Sequence, residues 1–319
     1  MMKKSLIEWC DFTWNPVTGC KRNCPFCVGL NRLLHFKGDN RLYMSNELIM
    51  KDEEKGLFIL TKPFPTVGNN TLPAPTGGLP TLHPYRLPMV AQKWKPANIF
   101  VCHCGDLFGE WIPTDWILQV FEAAKAAPWH NYMFLTMNPS RYAELLEAGQ
   151  LVQADNFWYG TRLTEKGSVF TADGYHTYIC MEPMGLFSER MEIPPVEWIL
   201  LGGYKRLKRQ WIESVMERKG SIPVFMIGSK LFKETWDAPL VQEYPPLLYR
   251  PKEKDLPRCS ECKYCYSKQQ GKRGLWRACR HPKIVRAVKS SDGRHIDGRF
   301  ARVSPQWCPK RTGTNWRLK

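Results

Sequence analysis

The sequence predicts an α/β fold, a partial or complete βα barrel carrying a small cysteine-rich module after it. Three observations predict it. Short runs rich in β-branched and aromatic residues recur through the first 238 positions, with helical patterns between several of them, and that alternation marks βα units on a parallel sheet. Charge then changes abruptly: residues 1–250 hold 27 Lys and Arg against 25 Asp and Glu, a net +2, whereas residues 251–319 hold 19 against 5, a net +14. Cysteines divide in the same way, with Cys10, Cys20, Cys24 and Cys27 near the start and Cys259, Cys262, Cys265, Cys279 and Cys308 in the basic region.

The elements follow in chain order. Met1 to Ser5 imitates the start of a secretory signal, but Glu8 and Asp11 interrupt what would be its apolar core. No apolar run approaches the roughly 18 residues of a membrane helix, so a cytoplasmic protein without membrane contact is expected. There thiols stay reduced, and the 12 cysteines call for metal rather than disulfides. An approach strand leads to Cys20, and Val28 to Phe36 reads as a helix. Residues 61–97 carry eight prolines with Gly68, Gly77 and Gly78, which denies helix and central strand and predicts a long loop. Strands are expected at Asn98–Cys104, Tyr132–Met137, Phe157–Leu163, Thr177–Met181, Trp198–Leu201 and Pro223–Ile227, making six or seven in all. Between them, Thr114 is a candidate N-cap for a helix through Trp116, Ile117, Val120, Phe121 and Ala124. Arg141 to Leu146 and Gln210 to Arg218 show similar spacing. A Pro-rich linker, residues 239–257, separates a barrel domain (1–238) from a basic module (258–319).

Chemistry concentrates where strands end. In βα barrels that rim holds the site, and carboxylates closing apolar strands, Asp106 and Glu182, have few structural reasons to be there. Cys102 and Cys104 are expected on one face of a strand with His103 on the other. They and Cys180 read as small buried hydrophobes, with a second metal site at Cys102 and Cys104 as the alternative.

Cys20-Lys21-Arg22-Asn23-Cys24-Pro25-Phe26-Cys27 spells C-x3-C-x2-C. Three thiolates on one tight loop can hold three irons of a 4Fe–4S cluster and leave the fourth open. A zinc knuckle completed by Cys10 or a distant residue, or unliganded thiols, are the other readings. In the C-terminal region Cys259, Cys262, Cys279 and Cys308 suit tetrahedral zinc, leaving Cys265 spare. Cys265 in place of Cys259, an entry by His281, a second iron–sulfur cluster and no metal at all remain open. The surrounding arginines, with Tyr266 and Trp276, suit a nucleic acid, whose phosphates arginine contacts and whose bases aromatic rings stack on. Trp276 and Trp307 could instead fill the module's small core, and a basic tail also serves solubility.

The cysteine triad with Phe26 and the barrel resembles the radical S-adenosylmethionine superfamily. More narrowly, Ile7-Glu8-Trp9, Thr13-Trp14-Asn15-Pro16-Val17-Thr18-Gly19-Cys20, Gly105-Asp106-Leu107-Phe108-Gly109-Glu110, Leu135-Thr136, Asn138-Pro139, Tyr159-Gly160-Thr161, Glu182-Pro183 and Gly202-Gly203 resemble a family of radical-SAM-like proteins from phages and prophages. The resemblance spans roughly residues 6–232. It implies Cys20, Cys24 and Cys27 as cluster ligands and S-adenosylmethionine chelated at the open iron. Phe26 would lie near the adenine, His103, Gly105 and Asp106 near the methionine amino group, and Glu182, Gly202 and Gly203 at the methionine and adenosine ends. It also implies a 5′-deoxyadenosyl radical and an electron donor such as flavodoxin or ferredoxin. Met137 stands where that family has lysine, and Tyr204-Lys205-Arg206 where it has Glu-Ser-Gly. The expected function is a radical enzyme acting on or near DNA or RNA held by residues 251–319. The alternatives are a non-catalytic iron–sulfur and zinc protein that binds nucleic acid, and a radical enzyme acting on a protein or small molecule.

Overall fold

The computed structural model describes residues 5–22, 24–27, 49–52, 54–65, 71–72, 76, 78–163, 167–204, 207–228, 230–248, 262–269, 275–282, 284–285, 289 and 294–295. The chain divides into two compact units, Met1–Tyr244 and Pro245–Lys319.

In the first unit the strands are Phe12–Trp14 (β1), Val17–Thr18 (β2), Ile49–Asp52 (β3), Leu57–Leu60 (β4), Phe64–Pro65 (β5), Thr71–Leu72 (β6), Thr81–Leu82 (β7), Asn98–Val101 (β8), Asn131–Thr136 (β9), Phe157–Arg162 (β10), His176–Met181 (β11), Trp198–Leu201 (β12) and Val224–Met226 (β13). Helices are Thr114–Lys125 (α1), Ser140–Glu147 (α2), Arg209–Arg218 (α3) and Lys230–Trp236 (α4). Seven strands make one wholly parallel sheet, in the order β1-β8-β9-β10-β11-β12-β13. Alternate side chains separate its faces. One face buries Ile99, Tyr132, Phe134, Phe157 and Tyr159 with Ile117, Val120 and Phe121 of α1, and Ile179, Ile199, Leu201 and Val224 with Ile212 and Val215 of α3.

The other face carries Phe100, Tyr178, Trp198 and Phe225 and closes around Trp9. The Trp9 ring lies 4.6 Å from Phe100 on β8 and 6.1 Å from Trp198 on β12. In a flat sheet four strand spacings would separate those residues by about 19 Å, too far for one indole to bridge. The sheet is therefore curled into a half-barrel, and residues 5–10 lie in its opening. The Glu8 carboxylate accepts the Gly228 N–H (2.7 Å) beyond β13, and Tyr244 donates its hydroxyl to the Glu8 carbonyl (3.3 Å).

A smaller sheet, β2-β7-β4-β3, lies beside β1 in the chain, and β5 pairs with β6. Here the expectation for residues 61–97 fails in part: Thr81–Leu82 is an inner strand, paired with both β2 and β4. Its prolines, Pro80 and Pro84, flank the two ladder residues and so cost no strand hydrogen bond. The expected Asn98–Cys104 strand stops at Val101 because Cys102 takes a left-handed conformation, φ 55°. Cys102 and Cys104 therefore do not share a strand face. Thr114 does not cap α1; Pro113 holds that position and the Thr114 hydroxyl accepts from Arg141 (2.7 Å) instead. Residues 240–244, assigned to the linker by composition, pack on the barrel: Val241 accepts the Met226 N–H (2.8 Å) and Glu243 accepts the Trp198 indole N–H (2.9 Å).

The second unit contains an antiparallel sheet of Cys265–Gln269 (β14), Leu275–Cys279 (β15) and Arg294–His295 (β16). No described helix is long and apolar enough to cross a membrane.

Candidate metal and cofactor site at the strand ends

Backbone contacts aim the cysteine loop. Asn15 follows β1, and its side-chain oxygen accepts the Cys104 N–H (3.1 Å) and sits 3.1 Å from His103 Nδ1. Gly19, at φ 87°, donates to the Cys104 carbonyl (2.9 Å) and bridges Gly105 in parallel. A Cβ on Gly19 would stand 2.1 Å from the Leu79 carbonyl oxygen, and one on Gly105 would stand 2.7 Å from that of Gly19. Only two glycines allow this approach. The Cys20 N–H then donates to Gly78 (2.9 Å), and Cys27 donates to Cys24 (3.0 Å), which turns the loop over the sheet. Phe26 is half-buried within it.

Because the strands are parallel, their C-terminal ends share one rim, and loops from five of them meet there. Asp106, beyond β8, is buried. Its carboxylate accepts the Thr136 hydroxyl (2.7 Å) and the N–H groups of Phe108 and Met137 (3.2 Å each), and pairs with Arg22 at 3.5 Å. Burial raises its pKa, while those donors and Arg22 work the other way. The Arg22 guanidinium also lies 3.7 Å from Glu110 and 5.6 Å over the Trp111 ring. Beyond β9, Met137 Sδ is 3.6 Å from Cys24 Sγ. Arg162 ends β10 and donates to the Glu182 carbonyl (2.9 Å), with its carboxylate at 3.7 Å. Burial opposes the Arg162 charge, but Cys180, Glu182, Cys27 and Cys24 raise its pKa overall. Glu182 follows β11 and lies over Gly202, where a Cβ would be 2.8 Å from the Glu182 Cγ. Beyond β12, Tyr204 donates its hydroxyl to the Pro25 carbonyl (3.1 Å). A cavity of about 560 Å³ opens here, lined by Lys21, Arg22, Cys24, Glu110, Trp111 and Met137.

The predicted residues Cys20, Cys24, Cys27, Asp106 and Glu182 thus occupy one rim with His103, Gly105 and Gly202, while Gly203 packs against Leu207. Burial pushes the Cys20 thiol up to about 12, with Asp106 and the other two cysteines adding to the rise, and burial raises Cys24 as well. Among the described residues no three His, Cys, Asp or Glu side chains converge closely enough to hold a single metal ion. A cluster makes a different demand, since each thiolate binds its own iron and the sulfurs stand apart. Three soft donors on a glycine-positioned loop, with Arg22 and Arg162 to offset thiolate charge, fit that demand.

The sequence places Arg162 and Met137 at strand ends on the rim only as weak candidates, without a role in the site. For Arg162 the signal was the one used for Asp106 and Glu182, a charge closing an apolar strand. Cys102 and Cys180 are buried, and burial pushes both thiols up to about 12, while Cys104 Sγ lies 3.3 Å from His103 Nε2. In the second unit, Cys265 stands directly opposite Cys279 in the strand register, and its N–H donates to the Cys262 carbonyl (2.8 Å). Cys259, Cys308 and the segment from Val28 to Phe36 lie outside the described residues.

A family model described as "Protein of unknown function (DUF5131)" matches residues 4–305. No curated protein matches the chain. Among solved structures, a cysteine-to-alanine mutant of spore photoproduct lyase with dinucleoside spore photoproduct is similar at 10% identity and a TM-score of 0.39, over 91% of this chain and 74% of that one. A double mutant of the same lyase with bound AdoMet and dinucleoside spore photoproduct is similar at 11% identity and a TM-score of 0.37, over the same shares.

Proposed function

We propose, for a chain that belongs to the DUF5131 family, a radical S-adenosylmethionine enzyme that acts on or near nucleic acid. The observation that carries this reading is the meeting of the C-x3-C-x2-C loop with Arg162, Glu182 and Gly202 on one rim of a parallel half-barrel. Cys20, Cys24 and Cys27 would hold a 4Fe–4S cluster. With S-adenosylmethionine bound there, such a cluster would supply the electron that cleaves the sulfonium S–C5′ bond into methionine and a 5′-deoxyadenosyl radical.

The chain's own residues do the positioning. Gly19 and Gly105 let the loop approach the sheet, and Asp106 ties Arg22 to the ends of β8 and β9. Glu182 is held by Arg162 and packs on Gly202, at the rim where the amino acid and ribose ends of S-adenosylmethionine would be held. His103, Gly105 and Asp106 would border the methionine end, and Phe26 would lie near the adenine. Trp111 and Met137 give the cavity an apolar side, beside the charges of Lys21, Arg22 and Glu110.

The second unit supplies the nucleic-acid contact, with zinc held by Cys262, Cys279 and Cys308 and a fourth thiolate from Cys259 or Cys265. The position of Cys265 opposite Cys279 favours its taking the place of Cys259.

Anaerobic reconstitution with iron and sulfide tests the reading. It is expected to give cluster absorption near four irons per chain, and 5′-deoxyadenosine on reduction with S-adenosylmethionine. Cys24→Ala should lose both signals while Cys10→Ser keeps them. Zinc at the triad in place of iron would overturn the proposal, and so would a cluster that never yields 5′-deoxyadenosine.

A further inference from the structure

The register of the second unit sorts its side chains onto two faces. Cys265 pairs with Cys279 and Tyr266 with Ala278, and the Arg280 N–H donates to the Tyr264 carbonyl (2.8 Å), which carries the same register one residue further. Side chains alternate along a strand and directly paired residues share a face. Cys265 and Cys279 therefore lie on one face, and Tyr264, Tyr266 and Arg280 on the other. Cys279 on the first face and Ala278 on the second are both buried, Arg280 is exposed, and Cys265 and both tyrosines are half-buried.

The tyrosine face interleaves rings and cations. The Arg280 guanidinium sits 3.7 Å from the Tyr266 ring centre. The His281 ring meets Tyr264 edge-on at 4.6 Å, and the Lys263 ammonium lies 5.1 Å from the same ring. Such contacts hold rings and charges side by side at the surface, within a segment where 19 Lys and Arg stand against 5 Asp and Glu.

We propose that this face, built from Tyr264, Tyr266, Arg280 and Lys263, binds single-stranded nucleic acid, with the tyrosines stacking on bases and the cations meeting phosphates. Charge complementarity selects a polyanion, and the rings select among polyanions. Bases inside a duplex are already stacked on one another and offer no open π-face, whereas a single strand does. An acidic protein surface would use the charges and leave the rings without a task. The inference rests on the nucleic-acid half of the proposed function and is independent of the cluster.

The test uses the full chain and fluorescence anisotropy with a single strand of about 15 nucleotides, the matched duplex and polyglutamate. The single strand should bind most tightly. Tyr264→Leu and Tyr266→Leu keep an apolar cover for the sheet and should each weaken it roughly 5- to 100-fold without changing the salt slope. Arg280→Gln should make that slope shallower by about 0.7, the share of one neutralised phosphate on a single strand, and Tyr266→Phe should bind like the parent. Should the leucine variants misfold, photocrosslinking of a 5-iodouracil strand to the parent chain gives a second readout, with adducts expected at Tyr264 or Tyr266. Full affinity in folded leucine variants, adducts only elsewhere, or equal binding of duplex or polyglutamate overturns the face as assigned. A parent chain that binds no strand even at low salt overturns the nucleic-acid half of the proposed function as well, while 5′-deoxyadenosine formation reports on the other half alone.

Discussion

Single residues around the cysteine loop carry structural tasks that can be separated from chemistry by their titration. His83 is fully buried behind the loop, with Nε2 2.8 Å from the Thr18 hydroxyl and Nδ1 3.4 Å from the Tyr85 hydroxyl. Burial, helped by the Arg86 charge, lowers its pKa well below 6.5. Its folded value is therefore depressed relative to the unfolded chain. As pH falls below about 6.5 the unfolded chain takes up a proton that the folded one refuses, so the stability His83 contributes above that pH is lost on the way down. The loss is limited to about 1.4 kcal/mol per pH unit. Urea midpoints of the parent should therefore fall more steeply between pH 6.5 and 5 than those of His83→Gln, whose amide keeps a bond to Thr18 and does not titrate. Parallel pH profiles for the two proteins would show that His83 is charged in the fold. The triad itself was legible because its spacing is local. Arg162 and Met137 were legible as strand ends on the rim but not as neighbours of the thiols, since only the curl of the sheet brings the ends of β9 and β10 there.

Elements were legible in proportion to their length. Trp198–Leu201 matches its expected bounds, and the runs that became β9, β10 and β11 shift by a residue at one or both ends, because four or more apolar residues between turn signals leave little choice. Two-residue strands such as β2 and β7 show no alternation at all. Their pairing comes from tertiary contacts, and the proline density around β7 argued against it. The short helix α4 was missed for a similar reason, as seven residues span only two turns. The N-terminal plug is the clearest case of an element that composition hides. Residues 5–10 have no regular structure, yet Trp9 is 2% exposed and touches rings from β8, β11 and β12. A half-barrel leaves its inner face open between β1 and β13, and an indole is the largest side chain available to fill it. Trp9→Ala should then cost about 3–5 kcal/mol, comparable to a core truncation rather than to a change in a terminal segment. Guanidinium denaturation measures it, and a loss below about 1 kcal/mol would mean that the sheet closes without the plug.

At the scale of the whole molecule, charge and thiols divide along the same line as the fold. The boundary between compact units, after Tyr244, falls close to position 250, where the formal charge changes from +2 to +14. Folding gives a reason for the small difference: Val241 and Glu243 are needed to complete the hydrogen bonding of Met226 and Trp198, so the barrel retains them. If the first unit holds the cluster and the second finds the nucleic acid, the two activities should separate when the chain ends at Tyr244. The truncated protein keeps residues 5–10 and their partners Gly228, Gln242 and Tyr244, so it is expected to fold. It should take up iron and form 5′-deoxyadenosine at a rate within about threefold of the full chain with S-adenosylmethionine alone, because the rim residues all lie before Tyr244. It should bind a single strand at least 10-fold more weakly, with a much shallower dependence on salt, since counterion release scales with the phosphates neutralised. Unchanged affinity and slope would place the nucleic-acid contact on the barrel. Loss of 5′-deoxyadenosine from a folded, cluster-loaded truncation would make the second unit part of the catalytic assembly rather than its means of reaching a substrate.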